Sequence, residues 1–273
     1  MIVKTKSILV IVITLLSTVI FSQDKKWKLI NEIEIKNLNS WDVDPMGKVI
    51  YAERDAIVKI DSSFQELFTQ SVKGFGSVTK IDARHSLKTL IFSEDQQSIA
   101  FMDNTLTFKD EKDLAIIDVA YGTHASYSGQ TNRFWVFDGD NSKLVLYDET
   151  RNSTQVMENL SGTLGFLLLE ELFEIQNTLL LFDKTKGIYL FDVYGTMIDF
   201  IATENAKAVH FEEGKLFYLT EDELVRIDIK DRTERRIELP EKDLINFRVL
   251  GKYIFFQTPN GLKKYIFSVR GKL

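Results

Sequence analysis

One unit recurs along this chain: an apolar run, a polar turn, a second apolar run and an aspartate. The first three copies are 49–51 with Ile57-Val58-Lys59-Ile60-Asp61, 90–92 with Ile99-Ala100-Phe101-Met102-Asp103, and 134–137 with Leu144-Val145-Leu146-Tyr147-Asp148. The next are 179–182 with Ile188-Tyr189-Leu190-Phe191-Asp192, 216–219 with Leu224-Val225-Arg226-Ile227-Asp228, and 253–256 with Leu262-Lys263-Lys264-Tyr265. The terminal aspartates lie 42, 45, 44 and 36 residues apart, and Ile266 takes the sixth place 38 further on. A lone unit of this kind cannot bury its apolar faces, so the copies must pack against one another.

The runs are short, rich in Val, Ile, Phe and Tyr, and bounded by Gly, Asn and Asp, which is strand chemistry. Strand units at a period near 40 predict an all-β fold, a six-bladed β-propeller of four-stranded antiparallel blades. The middle strands read as continuous apolar runs because neighbouring blades cover both their faces, as in other doubly covered strands. Innermost strands are expected at 41–44, 79–83, 115–120, 166–175, 208–211 and 245–250. More polar outer strands, edges facing water, are expected at 64–72, 105–108, 154–159, 197–202 and 233–239. The sixth unit lacks an outer strand, and residues 27–35 form one spare strand ahead of the first unit. Lending the N-terminal strand to the last blade completes the ring.

Two segments leave the pattern. Residues 165–175 suit helix as well as strand, and their place in the repeat favours strand. Residues 121–132 read as an insertion in the third unit, exposing Tyr121, His124 and Tyr127 as candidate partner contacts. Tolerated length variation accounts for such a loop equally well.

The first residues have the layout of a secretory signal peptide: basic Lys4 and Lys6, an apolar run from Ile8 to Ile20, then Phe21-Ser22-Gln23. The run is 13 residues, against the ~20 that a helix needs to cross a bilayer. Residues 1–22 are therefore expected to be removed, leaving 23–273 as a single domain in the periplasm or at the cell surface. Membrane contact is expected only if that segment is retained as an anchor. The chain of 273 residues has 34 Lys and Arg against 40 Asp and Glu, a net charge of -6. That balance argues against nucleic acid as a partner, since phosphate binding needs a basic surface. With no Cys, disulfides and thiol chemistry are excluded.

These repeats resemble the six-bladed propellers of the NHL, YVTN and gluconolactonase-like type, and exported propellers of Bacteroidota. The Trp-Asp and Gly-His marks of tryptophan–aspartate repeats are absent as a set. The resemblance covers the chain after residue 22, as an architectural pattern. It implies ligand binding along the axis and on the face carrying the hairpin loops between the second and third strands. Those loops are acidic and offer Asp55, Asp95, Asp138, Asp140, Asp183 and Asp222 toward a cationic ligand, a basic protein patch or a divalent cation. Turn geometry alone also calls for Asp and Asn in tight hairpins. Gluconolactonase-like enzymes place Glu, Asn and Asp around an axial metal. The matching candidates here are Asp44, Asp82 and Asp118, with Asp42, Glu174 and Asn246 beside them on the predicted inner strands.

Asp138-x-Asp140-x-Ser142 opens like a calcium loop, with Glu149 at the closing position. Lys143 stands where the loop glycine belongs, and the apolar strand 144–147 prevents wrapping of Ca2+. His85, His124 and His210 share no metal-ligand spacing. The recurrent aspartates that end each unit are expected to accept backbone N–H bonds and hold the turn into the outer strand. No cofactor is called for, and no nucleophile elbow, phosphate loop or dinucleotide fingerprint occurs. The reading is an exported binding or scaffold propeller contacting an envelope protein or a glycan through its loop faces. The alternative is a metal-dependent hydrolase, lactonase or lyase with an axial carboxylate site.

Overall fold

A computed structural model describes residues 27–85, 87–203 and 205–267. It contains 24 strands in six four-stranded antiparallel sheets. Strand β1 (Trp27–Glu34) begins the described chain, and blade 1 follows as β2 (Leu38–Val43), β3 (Val49–Glu53), β4 (Ala56–Ile60) and β5 (Glu66–Ser71). Blade 2 is β6 (Lys80–Asp82), β7 (Lys88–Ser93), β8 (Ser98–Asp103) and β9 (Phe108–Asp113). Blade 3 is β10 (Gly122–Tyr127), β11 (Arg133–Asp138), β12 (Lys143–Asp148) and β13 (Ser153–Met157). A single helical turn, α1 (Leu160–Leu164), leads to blade 4, which is β14 (Leu169–Ile175), β15 (Thr178–Asp183), β16 (Gly187–Asp192) and β17 (Met197–Ala202). Blade 5 is β18 (Ala208–Glu212), β19 (Lys215–Leu219), β20 (Glu223–Asp228) and β21 (Glu234–Glu238). Blade 6 is β22 (Asn246–Leu250), β23 (Tyr253–Thr258) and β24 (Gly261–Phe267), completed by β1.

The closure is as the repeat demands. β1 pairs with β24 from Trp27 opposite Phe267 to Glu34 opposite Gly261, with a register shift between Leu29 and Asn31. Trp27 anchors the seam: its ring lies 4.6 Å from Phe267, and its Nε1 donates to the Glu238 carbonyl of blade 5 at 2.7 Å. Gly261 has φ +147°, and a Cβ there would stand 2.1 Å from the Ile33 carbonyl oxygen, so this approach of two strands requires glycine. Gly187 repeats the arrangement in blade 4.

The core is divided among the spaces between blades. Six buried clusters each draw side chains from two neighbours, for example Phe92 and Phe101 with Phe134 and Val136 between blades 2 and 3. The sixth cluster joins blades 6 and 1 through Phe255 and Leu262 against Trp41, Val49 and Val58. Burial of a large apolar side chain contributes roughly 1.5–3 kcal/mol, so each seam is a strong contact and the ring is a closed series of them.

The recurrent aspartates do what their position suggests. Asp61 Oδ1 accepts the N–H groups of Ser63 and Gln65 at 2.7 and 2.9 Å. Asp103 Oδ1 holds Thr105 and Thr107 in the same way, and Asp192 Oδ1 holds Tyr194 and Thr196. Each turn then carries a left-handed residue three places after the aspartate: Phe64, Leu106 and Gly195. The left-handed backbone disfavours Phe and Leu by roughly 1–2 kcal/mol; burial of Phe64 and Leu106 in the seams offsets it.

Blade 3 corrects the sequence-based assignment. The residues read as an insertion form its innermost strand, β10. The expected inner strand at 115–120 is instead a 3-10 turn, Leu114–Ile117, whose start is capped by the Asp113 carboxylate bonded to the Ala115 N–H at 2.8 Å. Buried Leu114 and Ile117 supply the apolar signal that imitates a strand. The outer strand of blade 2 likewise begins at Phe108, because 105–107 belong to the Asp103 turn. Residues 165–175 are strand from Leu169 onward, as the repeat favours. The predicted signal segment, 1–22, lies outside the described residues.

Candidate functional site: a charged axis between two basins

The innermost strands line the axis, and alternation along them sorts their side chains. Lys80, Asp82 and Arg84 stand two residues apart and face the axis together, while Ile81 and Ala83 enter the seam between blades 1 and 2. Asp42 of β2, Glu171 and Phe173 of β14, His210 of β18 and Arg248 of β22 join them.

These groups neutralise one another. Arg84 binds Asp82 through two nitrogens, Nε at 2.9 Å and Nη2 to the other oxygen, and Nη2 also reaches Ser126 Oγ of β10 at 2.7 Å. Arg248 Nε donates to Asp42 Oδ1 at 2.8 Å, and its Nη2 lies 3.8 Å from Glu171 Oε2. Lys80 pairs with Glu171. The same carboxylates tie blades together: Asp42 Oδ2 accepts the Ala83 N–H, and Asp82 Oδ2 accepts the Tyr127 N–H at 2.9 Å. The cavity they enclose holds about 20 Å³, room for one water.

Burial and neighbours set the charge states. Burial pushes the Asp82 carboxyl up, but Arg84 outweighs it and holds the group well below the usual carboxylate range. Glu171 behaves likewise, burial being overcome by Lys80 and Arg248. Burial drives the His210 imidazolium out, reinforced by Arg248 and Arg84, so its pKa falls well below the ordinary value. His210 Nε2 lies 3.0 Å from the Val249 carbonyl oxygen; a carbonyl only accepts, so that nitrogen carries the proton.

A basin opens at each end of this plug. On the hairpin face, about 320 Å³ is bounded by Asn39, Thr79, Thr123, His124, Asn246 and Gln257 and by the charged Lys80, Glu94, Glu170, Glu171 and Arg248. On the opposite face, where tight turns join each inner strand to the next, about 420 Å³ is bounded mostly by apolar groups.

The expected axial acids separate. Asp82 is at the axis. Asp44 is buried at the end of blade 1's inner strand, where its Oδ1 caps the turn by accepting the Met46 and Lys48 N–H groups at 2.9 Å each; its Oδ2 lies 3.3 Å from buried Lys59. Asp118 is left-handed and its side chain is 94% exposed on the connector into blade 3, away from the axis. Among the described residues no three His, Asp or Glu side chains gather in a way that could hold a metal ion. Beside each axial carboxylate a guanidinium or ammonium takes the place a cation would need.

The hairpin acids also divide. Asp138 is fully buried and accepts the Ala120 N–H at 2.9 Å and Asn141 Nδ2 at 2.9 Å. Asp183, equally buried, accepts the N–H groups of Leu168 and Thr185, both at 2.8 Å. Burial raises both carboxyls, but the hydrogen bonds, led by Asn141 and Thr185 respectively, win and lower them. Asp95 accepts the Ser77 N–H at 3.2 Å. In blades 2, 3 and 4 the hairpin aspartate thus clasps the connector arriving from the previous blade. Asp55, Asp140 and Asp222 are exposed. The six aspartates are therefore not one continuous acidic rim, and turn chemistry accounts for half of them.

Tyr121, His124 and Tyr127 do not share a loop, because β10 runs from the hairpin face to the opposite face. Tyr121 is 40% exposed at the hairpin end and donates to Glu94 Oε1 at 3.1 Å. His124 borders the hairpin basin, its pKa pushed down to about 4, first by burial. Tyr127 is buried in the seam against Phe101. Lys80, Arg84, Glu171 and Arg248 escaped the sequence reading, and His210 entered it only as a residue without metal-ligand spacing. The signal for them was present in the two-residue spacing of Lys80, Asp82 and Arg84 and of Asn246 and Arg248.

The fold is shared with solved propellers. Virginiamycin B lyase from Staphylococcus aureus matches with a TM-score of 0.61 at 13% identity, covering 88% of this chain and 99% of that one. A Bacteroides thetaiotaomicron protein of unknown function matches at 0.64 and 9% identity, over 88% of this chain and 75% of that one. The Pan2 WD40 domain of Neurospora crassa matches at 0.60 and 6% identity, over 90% and 97%. At such identities the likeness is one of fold. No protein-family model matches the sequence, and no curated protein does.

Proposed function

We infer that this is an exported, non-catalytic binding propeller that holds an envelope protein or a glycan on its hairpin face. The observation that carries this reading is the plugged axis. Its acids and bases are matched, two of the pairs across blades, and leave space for a single water between them. The axial space itself leaves no room for a substrate, so the basin above it, which Lys80, Glu171 and Arg248 also border, and the loops around it are the accessible surface. The basin offers Asn, Gln, Thr and His side chains, donors and acceptors of the kind that bind hydroxyls or peptide groups. Export rests on the basic and apolar pattern of residues 1–22.

The test is a comparison of wild type with a variant carrying Asp55→Lys, Asp140→Lys and Asp222→Lys, exposed positions outside the axis. Wild type should retain one reproducible envelope protein or glycan-array ligand, and the variant, with the same melting temperature, should lose it. Equal retention by both, or no retained ligand for wild type after crosslinking, overturns the reading. Mass spectrometry of protein recovered from the envelope fraction should find Gln23 at the N-terminus.

A further inference from the structure

The basin opposite the hairpins has its own chemistry. Val43, Pro45, Phe211, Val249 and Leu250 form apolar walls. Its charged lining groups are Arg84, Glu174 and Glu212, with no lysine. Arg84 is committed: its nitrogens go to Asp82, to Ser126 and to the Glu174 carbonyl.

Glu174 is the unusual member. It is 4% exposed, near the end of β14. Its Oε2 accepts two hydrogen bonds, from Ser128 Oγ and from Trp135 Nε1, both at 2.7 Å. Its Oε1 accepts none among the described residues. A buried acceptor without a donor costs about 1–3 kcal/mol, and more when charged. Gly129 lies against that oxygen: a Cβ there would stand 2.9 Å from it. Gly129 is not in the left-handed region, so its backbone does not call for glycine. What the missing side chain does is keep a carbon from pressing on that oxygen, which is itself buried beneath a turn that also borders the basin.

We propose that this basin binds a small organic cation, an ammonium carried on an apolar body, the exposed Gly129 turn shifting aside so that the ammonium N–H donates to Glu174 Oε1 while the body lies against Phe211, Val249 and Leu250. The donor that the oxygen lacks then comes from the ligand, and a charge-assisted bond is roughly twice as strong as a neutral one. An anion is disfavoured because Arg84 is already matched by Asp82, leaving the carboxylates to set the sign of the basin. Among the described residues no three His, Asp or Glu side chains gather here to hold a bare metal ion. The site lies on the other side of the axial plug from the hairpin face and is independent of what binds there.

The experiment is calorimetric titration of the intact protein with three probes of one shape: 2-phenylethylammonium, 2-phenylethanol and phenylacetate. The ammonium should bind, the alcohol should bind at least about 10-fold more weakly, and the carboxylate should give no measurable heat. Glu174→Gln should weaken the ammonium by about 10-fold or more, since the amide removes the charge. Gly129→Ala, in an exposed turn, should weaken it while the protein keeps a single cooperative melting transition, and this variant decides the matter if Glu174→Gln fails to fold. No ammonium binding up to about 10 mM, equal affinity for the ammonium and the alcohol, or unchanged binding in Gly129→Ala would each overturn the proposal.

Discussion

The seams between blades and the axis are built from the same strands, yet they are held together in different ways. In β6, Ile81 enters a seam while Lys80 and Asp82 face the axis. The seams are non-directional: any well-fitting apolar side chain contributes, and the motif is repeated six times. The axis is specific. Each charge has a named partner, Lys80 with Glu171 and Arg248 with Asp42 across blades and Arg84 with Asp82 within blade 2, and the deletion of one leaves its partner unmatched. Burial thus makes the ring stable, whereas the ion pairs fix how the six blades meet at the centre. A buried pair adds little net stability over an apolar replacement, so its consequence here is orientation and the closing of the channel.

The largest test of this contrast is at the closing seam. A chain lacking residues 27–34 removes β1 from blade 6, exposes the cluster around Phe255, and should lose its single cooperative melting transition. Retention of a sharp transition near the intact temperature would show that the seams do not need the closed ring. Next, Asp82→Ala strands the Arg84 guanidinium and should cost about 3–5 kcal/mol by denaturant titration. Phe255→Ala, a cavity in the apolar seam, should cost about the same, 3–5 kcal/mol.

The two regions separate in the double variant. Asp82→Leu with Arg84→Leu removes both charges and should cost clearly less than Asp82→Ala, in keeping with the near-neutral or even favourable exchange of buried pairs for apolar groups, a range of about 1–4 kcal/mol. A double variant as damaging as the single one would mean the axis carries net stability itself. No comparable rescue is expected from a second truncation in the seam.

The smallest expected effect is in pH. Depressed histidines contribute stability that is fully present above their unfolded pKa, near 6.5, and is lost as pH falls toward the folded value, because the unfolded chain takes the proton first. For His124 that window runs from 6.5 down to about 4, and for His210 it extends lower. Unfolding free energy should therefore fall between pH 6.5 and 4 with a slope of at most about 1.4 kcal/mol per pH unit per histidine. Asp82 and Glu171, whose folded values are depressed, contribute stability that is present above their unfolded values and lost only at lower pH. Replacing His210 with Gln should make the slope of the first window shallower, leaving the His124 share and the acid limb in place; an unchanged slope would remove the His210 account.

Much of this architecture was legible because a propeller repeats its signals. The apolar hairpins, the Asp-initiated turns at Asp61, Asp103 and Asp192, and the spare strand at the N-terminus all follow from local chemistry and count. Blade 3 was misread for a related reason. Its inner strand, Gly122-Thr-His-Ala-Ser-Tyr127, faces the axis and is mostly small and polar, so it lacks the apolar run that marks a strand. The connector before it holds Leu114 and Ile117, buried by contacts with the blades and not by strand pairing. At the site, the inner-strand acids were visible as a set, but their fates were not. Asp44, Asp82 and Asp118 look alike in sequence and end as a turn cap, an axial ion pair and an exposed carboxylate.

The sequence by itself determined the number of blades, the antiparallel hairpins and the donor of the closing strand, because period, alternation and turn chemistry act within a few residues of one another. Only the tertiary structure decided which charges meet at the axis. Arg248 and Asp42 are 206 residues apart and come together because the ring closes, a constraint that no local pattern encodes.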